Sequence, residues 1–205
     1  MDQIEIIRRT IKGFCLEFIK NPYLCYTEHG LHALFYSKLF NAFLEEERYT
    51  NWLGNRVCVI QKEYPTAEKL GKSQRQHWDI SIIKTPPESK HPDWSASYDY
   101  LKLAAVIEFG MNEGKEHLKD DIERVCHRDA NVEHEFIIHL CRLSNPGAKF
   151  SKRDGSPKSA QLLSKEDVAE IVSGKPTEVY YGMKDSTFTH NSGVWLINQG
   201  EIKQI

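Results

Sequence analysis

The sequence has no apolar run approaching the roughly 20 residues that a helix needs to span a bilayer, which argues against a helical membrane protein. Its first residues, MDQIEIIRRT, are too charged for a signal peptide, so a cytoplasmic location is expected. Cysteine is scarce and odd in number. Cys15, Cys25, Cys58, Cys126 and Cys141 are scattered through predicted helices and strands, as small core residues in a reducing compartment would be, and this argues against a disulfide framework. Neither sign of charge dominates. With a formal net charge of -2, any nucleic-acid binding must come from a local basic surface. There is no internal repeat. No G-x-S-x-G elbow is present, which speaks against a Ser/His/Asp hydrolase. Cys126, His127, His134, His139 and Cys141 cluster in sequence, but without a C-x-x-C or H-x-x-x-H pair, and this speaks against a structural zinc there.

What is present is the composition of an ordinary globular protein, with hydrophobic residues at 40% and charged residues at 27%, enough apolar content to argue against wholesale disorder. At 205 residues a single domain is expected rather than two. Its parts are an N-terminal helix within 1–23, a core over 24–143, and a basic loop, helix and late strands over 144–205.

Ile4, Ile7, Ile11, Phe14 and Phe18 recur at helical spacing and predict an amphipathic helix over 2–20, broken by Asn21-Pro22. Thr27 is a plausible N-cap for a second helix whose apolar stripe is Leu31, Leu34, Phe35, Leu39 and Phe43. Strands are expected over 56–64, 77–83 and 100–109, joined most simply as an antiparallel meander. A helix with many exposed charges, marked by Leu118, Ile122 and Val125, leads to a fourth strand over 135–143. A strand, helix and strand of this length form a right-handed crossover, so the fourth strand should run parallel to one of the meander. Residues 145–164, rich in Gly, Pro, Ser and Lys, read as a mobile basic loop. A helix from Ser164 to Gly174 and short strands over 178–181 and 194–198 follow.

Two of the predicted strands carry an acid where strand chemistry prefers none. In HWDISII (77–83) Asp79 lies among Trp78, Ile80 and Ile82, and in LAAVIEFG (103–110) Glu108 lies among Val106, Ile107 and Phe109. A buried carboxylate is costly unless a metal, a cation or hydrogen bonds compensate it, and two on consecutive strands suggest a divalent-metal site. Glu28 starts the second helix in register with Leu31, Phe35 and Leu39, so it points toward the core side. Blander accounts exist for each: a first-turn acid favoured by the helix dipole for Glu28, and ion pairs with Lys62 or His77 for Asp79 and Glu108. His77, on the face of Asp79, is either a site contact or a hydrogen-bonded core histidine.

In this order of elements, with Glu28 on a helix, QKEYP (61–65) ending the first strand, HWD (77–79) and VIEFG (106–110), the chain resembles the PD-(D/E)XK nuclease superfamily. The resemblance covers roughly Leu24 to Leu143. It implies an α/β protein with a restriction-endonuclease-like αβββαβ core, a mixed central sheet flanked by helices, and a C-terminal extension. It also implies Mg2+ or Mn2+ held by Asp79, Glu108, the Phe109 carbonyl and Glu28, acting on a phosphodiester. The implied partner is nucleic acid, DNA in first place, with room for a homodimer and none for a membrane.

The family's lysine, two residues beyond the glutamate, is Gly110 here, and the proline of the first half-motif is Trp78. Lys62, Lys115 and Lys84 are the candidates to supply the missing cation, Lys62 first. Lys102 shares the face of Glu108 but lies about 20 Å away along the strand. Lys115, Lys149, Lys152 and Arg153 are the candidate phosphate contacts. Two functions are therefore expected as alternatives: a metal-dependent DNA endonuclease or exonuclease, or a nuclease-fold protein that no longer cuts and serves as a nucleic-acid-binding or regulatory module.

Overall fold

The structure is a computed structural model that describes residues 2–90, 100–143, 150–151, 157–158, 163–185 and 192–205. Helix α1 (Gln3–Lys20) buries Ile4, Ile7, Ile11, Phe14 and Phe18 as their spacing predicts, and the Asp2 side chain caps it by accepting the Ile4 N–H. Helix α2 (Glu28–Ala42) starts at Thr27, whose Oγ1 accepts the Gly30 N–H at 3.1 Å, and buries Leu31, His32, Phe35 and Leu39.

The strand expected over 56–64 is not one strand. Residues 49–58 fold back as a separate hairpin, β1 (Tyr49–Trp52) against β2 (Asn55–Cys58), and only β3 (Ile60–Pro65) joins the main sheet. The hairpin turns on Leu53 (φ 55°) and Gly54 (φ 80°), the pair of left-handed residues that a tight two-residue connection requires. Leucine is an unusual occupant of that conformation, which hid the turn from sequence reading.

After β4 (His77–Ile83) come β5 (Leu103–Met111), α3 (Lys115–Val125) and β6 (Val132–Leu143). β3, β4 and β5 are antiparallel neighbours and β6 lies parallel to β5, as the meander and crossover predict. β5 begins at Leu103 rather than at residue 100, and β6 begins upstream of the expected 135. Of the stretch read as a basic loop, the structure describes the short antiparallel pair β7 (Phe150–Ser151) and β8 (Pro157–Lys158), together with Leu163 and Ser164. Lys149, Lys152 and Arg153 lie outside the described residues.

Helix α4 (Lys165–Val172) leads to β9 (Glu178–Asp185), which adds parallel to β6, and β10 (Gly193–Asn198) and β11 (Glu201–Gln204) extend the sheet antiparallel. The late strands, expected to be short, thus complete a mixed seven-stranded sheet of order β11-β10-β9-β6-β5-β4-β3. Among the described residues no helix is long and apolar enough to cross a membrane.

The two faces of this sheet bury separate cores. Ile80, Ile107 and Phe109 pack with α1 and α2, while Val106, Ile137 and Tyr181 pack with α3 and α4. Central strands covered on both faces read as continuous apolar runs, which accounts for LAAVIEFG. Alternation then places Glu108, between Ile107 and Phe109, on the α3 face.

Helix α4 is held at its start by a reciprocal cap. Ser164 Oγ accepts the Asp167 N–H at 3.1 Å, and Asp167 Oδ2 accepts the Ser164 N–H at 2.9 Å. Ser164→Ala is expected to cost about 1 kcal/mol in urea denaturation, because α4 buries Val168 and Val172 on the sheet and unravels into that core if its first turn frays.

Candidate functional site

β4 and β5 are paired so that Ile80 faces Ile107, which sets Asp79 and Glu108 side by side one step further along the ladder. The backbone of β5 then gathers the other acids. The Phe109 N–H donates to Asp79 Oδ2 at 2.8 Å, and the Met111 N–H donates to Glu28 Oε2 at 2.9 Å, which ties the start of α2 to the end of β5. Arg124, from α3, donates to Glu108 Oε2 at 2.6 Å and to Asp121 Oδ1 at 2.8 Å. Glu28, Asp79 and Glu108, drawn from a helix and two strands, thus share one end of β5.

Each of these carboxylates has one oxygen held by the protein. Glu108 Oε1 is buried with no hydrogen-bond partner. Burial, and next the negative charge of Asp79, push the Glu108 carboxyl well above the usual carboxylate range against the pull of Arg124. Burial also raises Glu28, opposed by the Met111 N–H and reinforced by Asp79. A buried oxygen without a partner among mutually repelling carboxylates fits a hard divalent cation. The donors available for it are Asp79, Glu108 and Glu28, with the Phe109 carbonyl on the residue whose N–H fixes Asp79.

Gly110 shares the Glu108 face two residues on, and the space a side chain would need there is taken. A Cβ at Gly110 would sit 2.9 Å from Nδ1 and 3.4 Å from Cε1 of His139, its register partner on β6. His139 is wholly buried, stacks on Tyr181 with centroids 6.1 Å apart, and both its ring nitrogens lack partners. Burial, with the positive charge of His117 behind it, pushes its pKa down to about 4, so the ring is neutral at physiological pH.

His117 itself is pushed up to about 9 against its burial, chiefly by the close Asp121 carboxylate, with Nδ1 and Oδ2 3.1 Å apart, and further by Glu113 and Glu28. A histidine cation is therefore felt by both Glu28 and His139. The helix read as carrying exposed charges buries Asp121, turns Arg124 inward and brings His117 to the acids. Their spacing, with Asp121 four residues after His117 and Arg124 three after Asp121, puts them on one helical face and was the signal available.

The candidate lysines are distributed differently. Lys62 lies on β3 opposite Ile80, exposed, with Nζ 3.8 Å from Glu63 Oε1, and its charge reaches His32. Lys115 reaches toward Glu170 at 3.9 Å. Lys84 is paired with Glu133 at 2.8 Å and Glu88 at 3.2 Å, and Lys102 with the same Glu133 at 2.9 Å. Glu108 has its ion pair with Arg124 rather than with Lys62 or His77. His77 is exposed at the first position of β4 and is no core histidine.

The buried neutral His139 makes stability pH-dependent. Its folded pKa lies below its ordinary 6.5, so its contribution is complete above about pH 6.5 and is lost as the pH falls through about 4. That amounts to about 3 kcal/mol in all. Glu108, shifted upward, works in the opposite sense as the pH falls. Urea melts of the protein and of His139→Phe across this window isolate the histidine: the wild type is expected to lose stability relative to the variant as the pH drops.

Among known proteins, the chain matches no protein-family model, no curated protein and no solved structure.

Proposed function

We propose that this chain is a divalent-metal-dependent hydrolase of nucleic-acid phosphodiester bonds, with DNA as its substrate, built on the restriction-endonuclease-like plan of the PD-(D/E)XK nucleases. The observation that carries this reading is the convergence of Glu28, Asp79 and Glu108 at the end of β5, with Glu108 Oε1 buried and unpartnered. The order of α2, the antiparallel strands β3 to β5, α3 and the parallel β6 supports the same plan.

Mg2+ or Mn2+, held by Asp79, Glu108, the Phe109 carbonyl and Glu28, would supply an activated water and a positive charge against the phosphate. The chain's own residues orient those oxygens. Backbone N–H groups fix Asp79 and Glu28, and Arg124 fixes Glu108 while neutralising part of its charge. His117 takes the role of the absent lysine in this reading, offering a positive charge and an N–H to the substrate side of the acids. Lys62, whose charge reaches His32 beside Asp79, is the second candidate cation, from β3.

The test is incubation with plasmid and linear DNA, with Mg2+ or Mn2+, beside an Asp79→Ala control. Cleavage that needs both the metal and Asp79 supports the proposal, and equal background from both preparations would falsify it.

A second reading, a nuclease-fold protein that binds nucleic acid without cutting it, is favoured by one observation: the lysine position is glycine and His139 fills its space. It predicts a shift of DNA at low salt without cleavage. It also predicts that Gly110→Lys alone stays inactive, whereas Gly110→Lys with His139→Ala, which clears the 2.9 Å obstruction, gains metal-dependent cutting.

A further inference from the structure

We propose a second metal site in this protein, formed by His29, His32 and Glu63 and suited to a divalent transition ion of the zinc class. One ligand atom from each of the three residues lies within 4.8 Å of the others. His29 and His32 are three residues apart at the start of α2, so their rings project from one side of the helix, with centroids 5.6 Å apart. Glu63 comes from β3. The register that pairs Lys62 with Ile80 and Tyr64 with Trp78 puts it opposite Asp79, but at φ 54° it leaves the ladder.

The inner member of the set is what points to a ligand. His32 is 1% exposed, yet neither of its ring nitrogens has a hydrogen-bond partner. A buried imidazole with two idle nitrogens is costly, and a metal bond on one of them removes that cost. Asp79 Oδ1 lies 3.8 Å from His32 Nδ1, so a carboxylate stands beside the ring, as carboxylates do when they orient a metal-bound histidine.

Tetrahedral zinc, with bonds of about 2.0–2.1 Å, needs its donors about 3.3 Å apart. His29 and Glu63 are exposed and can close that gap by rotation, while His32 stays fixed by its packing on Phe109, ring to ring at 4.6 Å. Lys62 Nζ, 3.8 Å from Glu63 Oε1, is itself exposed and free to swing away as the carboxylate turns. Two imidazoles and a single carboxylate favour zinc, cobalt or nickel over magnesium, whereas Glu28, Asp79 and Glu108 offer only oxygen. The two sites therefore differ in the ion they select, while Asp79, a donor of the first, stands beside His32 of the second.

The test is titration of the metal-stripped full chain with Zn2+ by calorimetry and with Co2+ by visible absorption. Zinc uptake is expected, with the cobalt spectrum of an imidazole-bound ion. His29→Ala and Glu63→Gln change exposed side chains, and with unchanged circular dichroism each is expected to weaken zinc at least about tenfold. Glu108→Gln should leave zinc affinity unchanged. The proposal is overturned if the wild type takes up no zinc, if His29→Ala and Glu63→Gln bind it as the wild type does, or if Glu108→Gln alone abolishes binding.

Discussion

Asp79→Ala is expected to lower metal-dependent DNA cleavage by roughly three orders of magnitude while leaving the fold intact. A divalent ion contributes several kcal/mol of transition-state charge stabilisation, and each decade of rate is about 1.36 kcal/mol. Asp79 is central to the three acids: its charge acts on both Glu28 and Glu108, and it takes the Phe109 N–H at 2.8 Å. Its loss relieves repulsion on Glu28 and Glu108 but leaves the Phe109 N–H without its acceptor, so the variant should melt near the wild-type denaturant midpoint. Single-turnover cleavage of linear DNA with Mg2+, beside a urea melt, checks both halves. Retained cleavage in Asp79→Ala would place the chemistry elsewhere.

Arg124→Met is expected to cost about 3–5 kcal/mol of stability, because one guanidinium nitrogen bridges the buried Glu108 and Asp121 at 2.6 and 2.8 Å. Removing it leaves two carboxylates in a low-dielectric core with no arginine between them. The loss should depend on pH. Glu108 has its folded pKa raised, so its stability contribution is complete below the ordinary carboxylate pKa and disappears as the pH rises through the folded value. Proton uptake by Glu108 therefore blunts the variant's defect toward acid pH, and the defect grows as the pH rises. Adding Glu108→Gln to Arg124→Met should recover most of the loss. Urea denaturation of the three proteins over a range of pH is the measurement, and a pH-independent defect would mean that Arg124 acts through packing alone.

The sequence by itself determined the elements whose pattern is local. Ile4, Ile7, Ile11, Phe14 and Phe18 share one face of a helix, Thr27 caps the next one, and the apolar runs around Asp79 and Glu108 read as buried or half-buried strands. The meander and crossover followed from the order and connection of the elements, whereas the register that sets Asp79 beside Glu108 came from the folded sheet. Three further matters were settled by tertiary structure, because each joins residues remote in sequence or rests on a backbone conformation its residue seldom adopts. Leu53 in a left-handed turn splits off the β1–β2 hairpin. The parallel register of β5 and β6 sets His139 against Gly110, and α3 turns Asp121 and Arg124 inward beneath Glu108. His32 and Glu63 meet because α2 crosses the end of the sheet where β3 lies beside β4. Periodicity shows which way a side chain faces, and only the packed register shows what it faces.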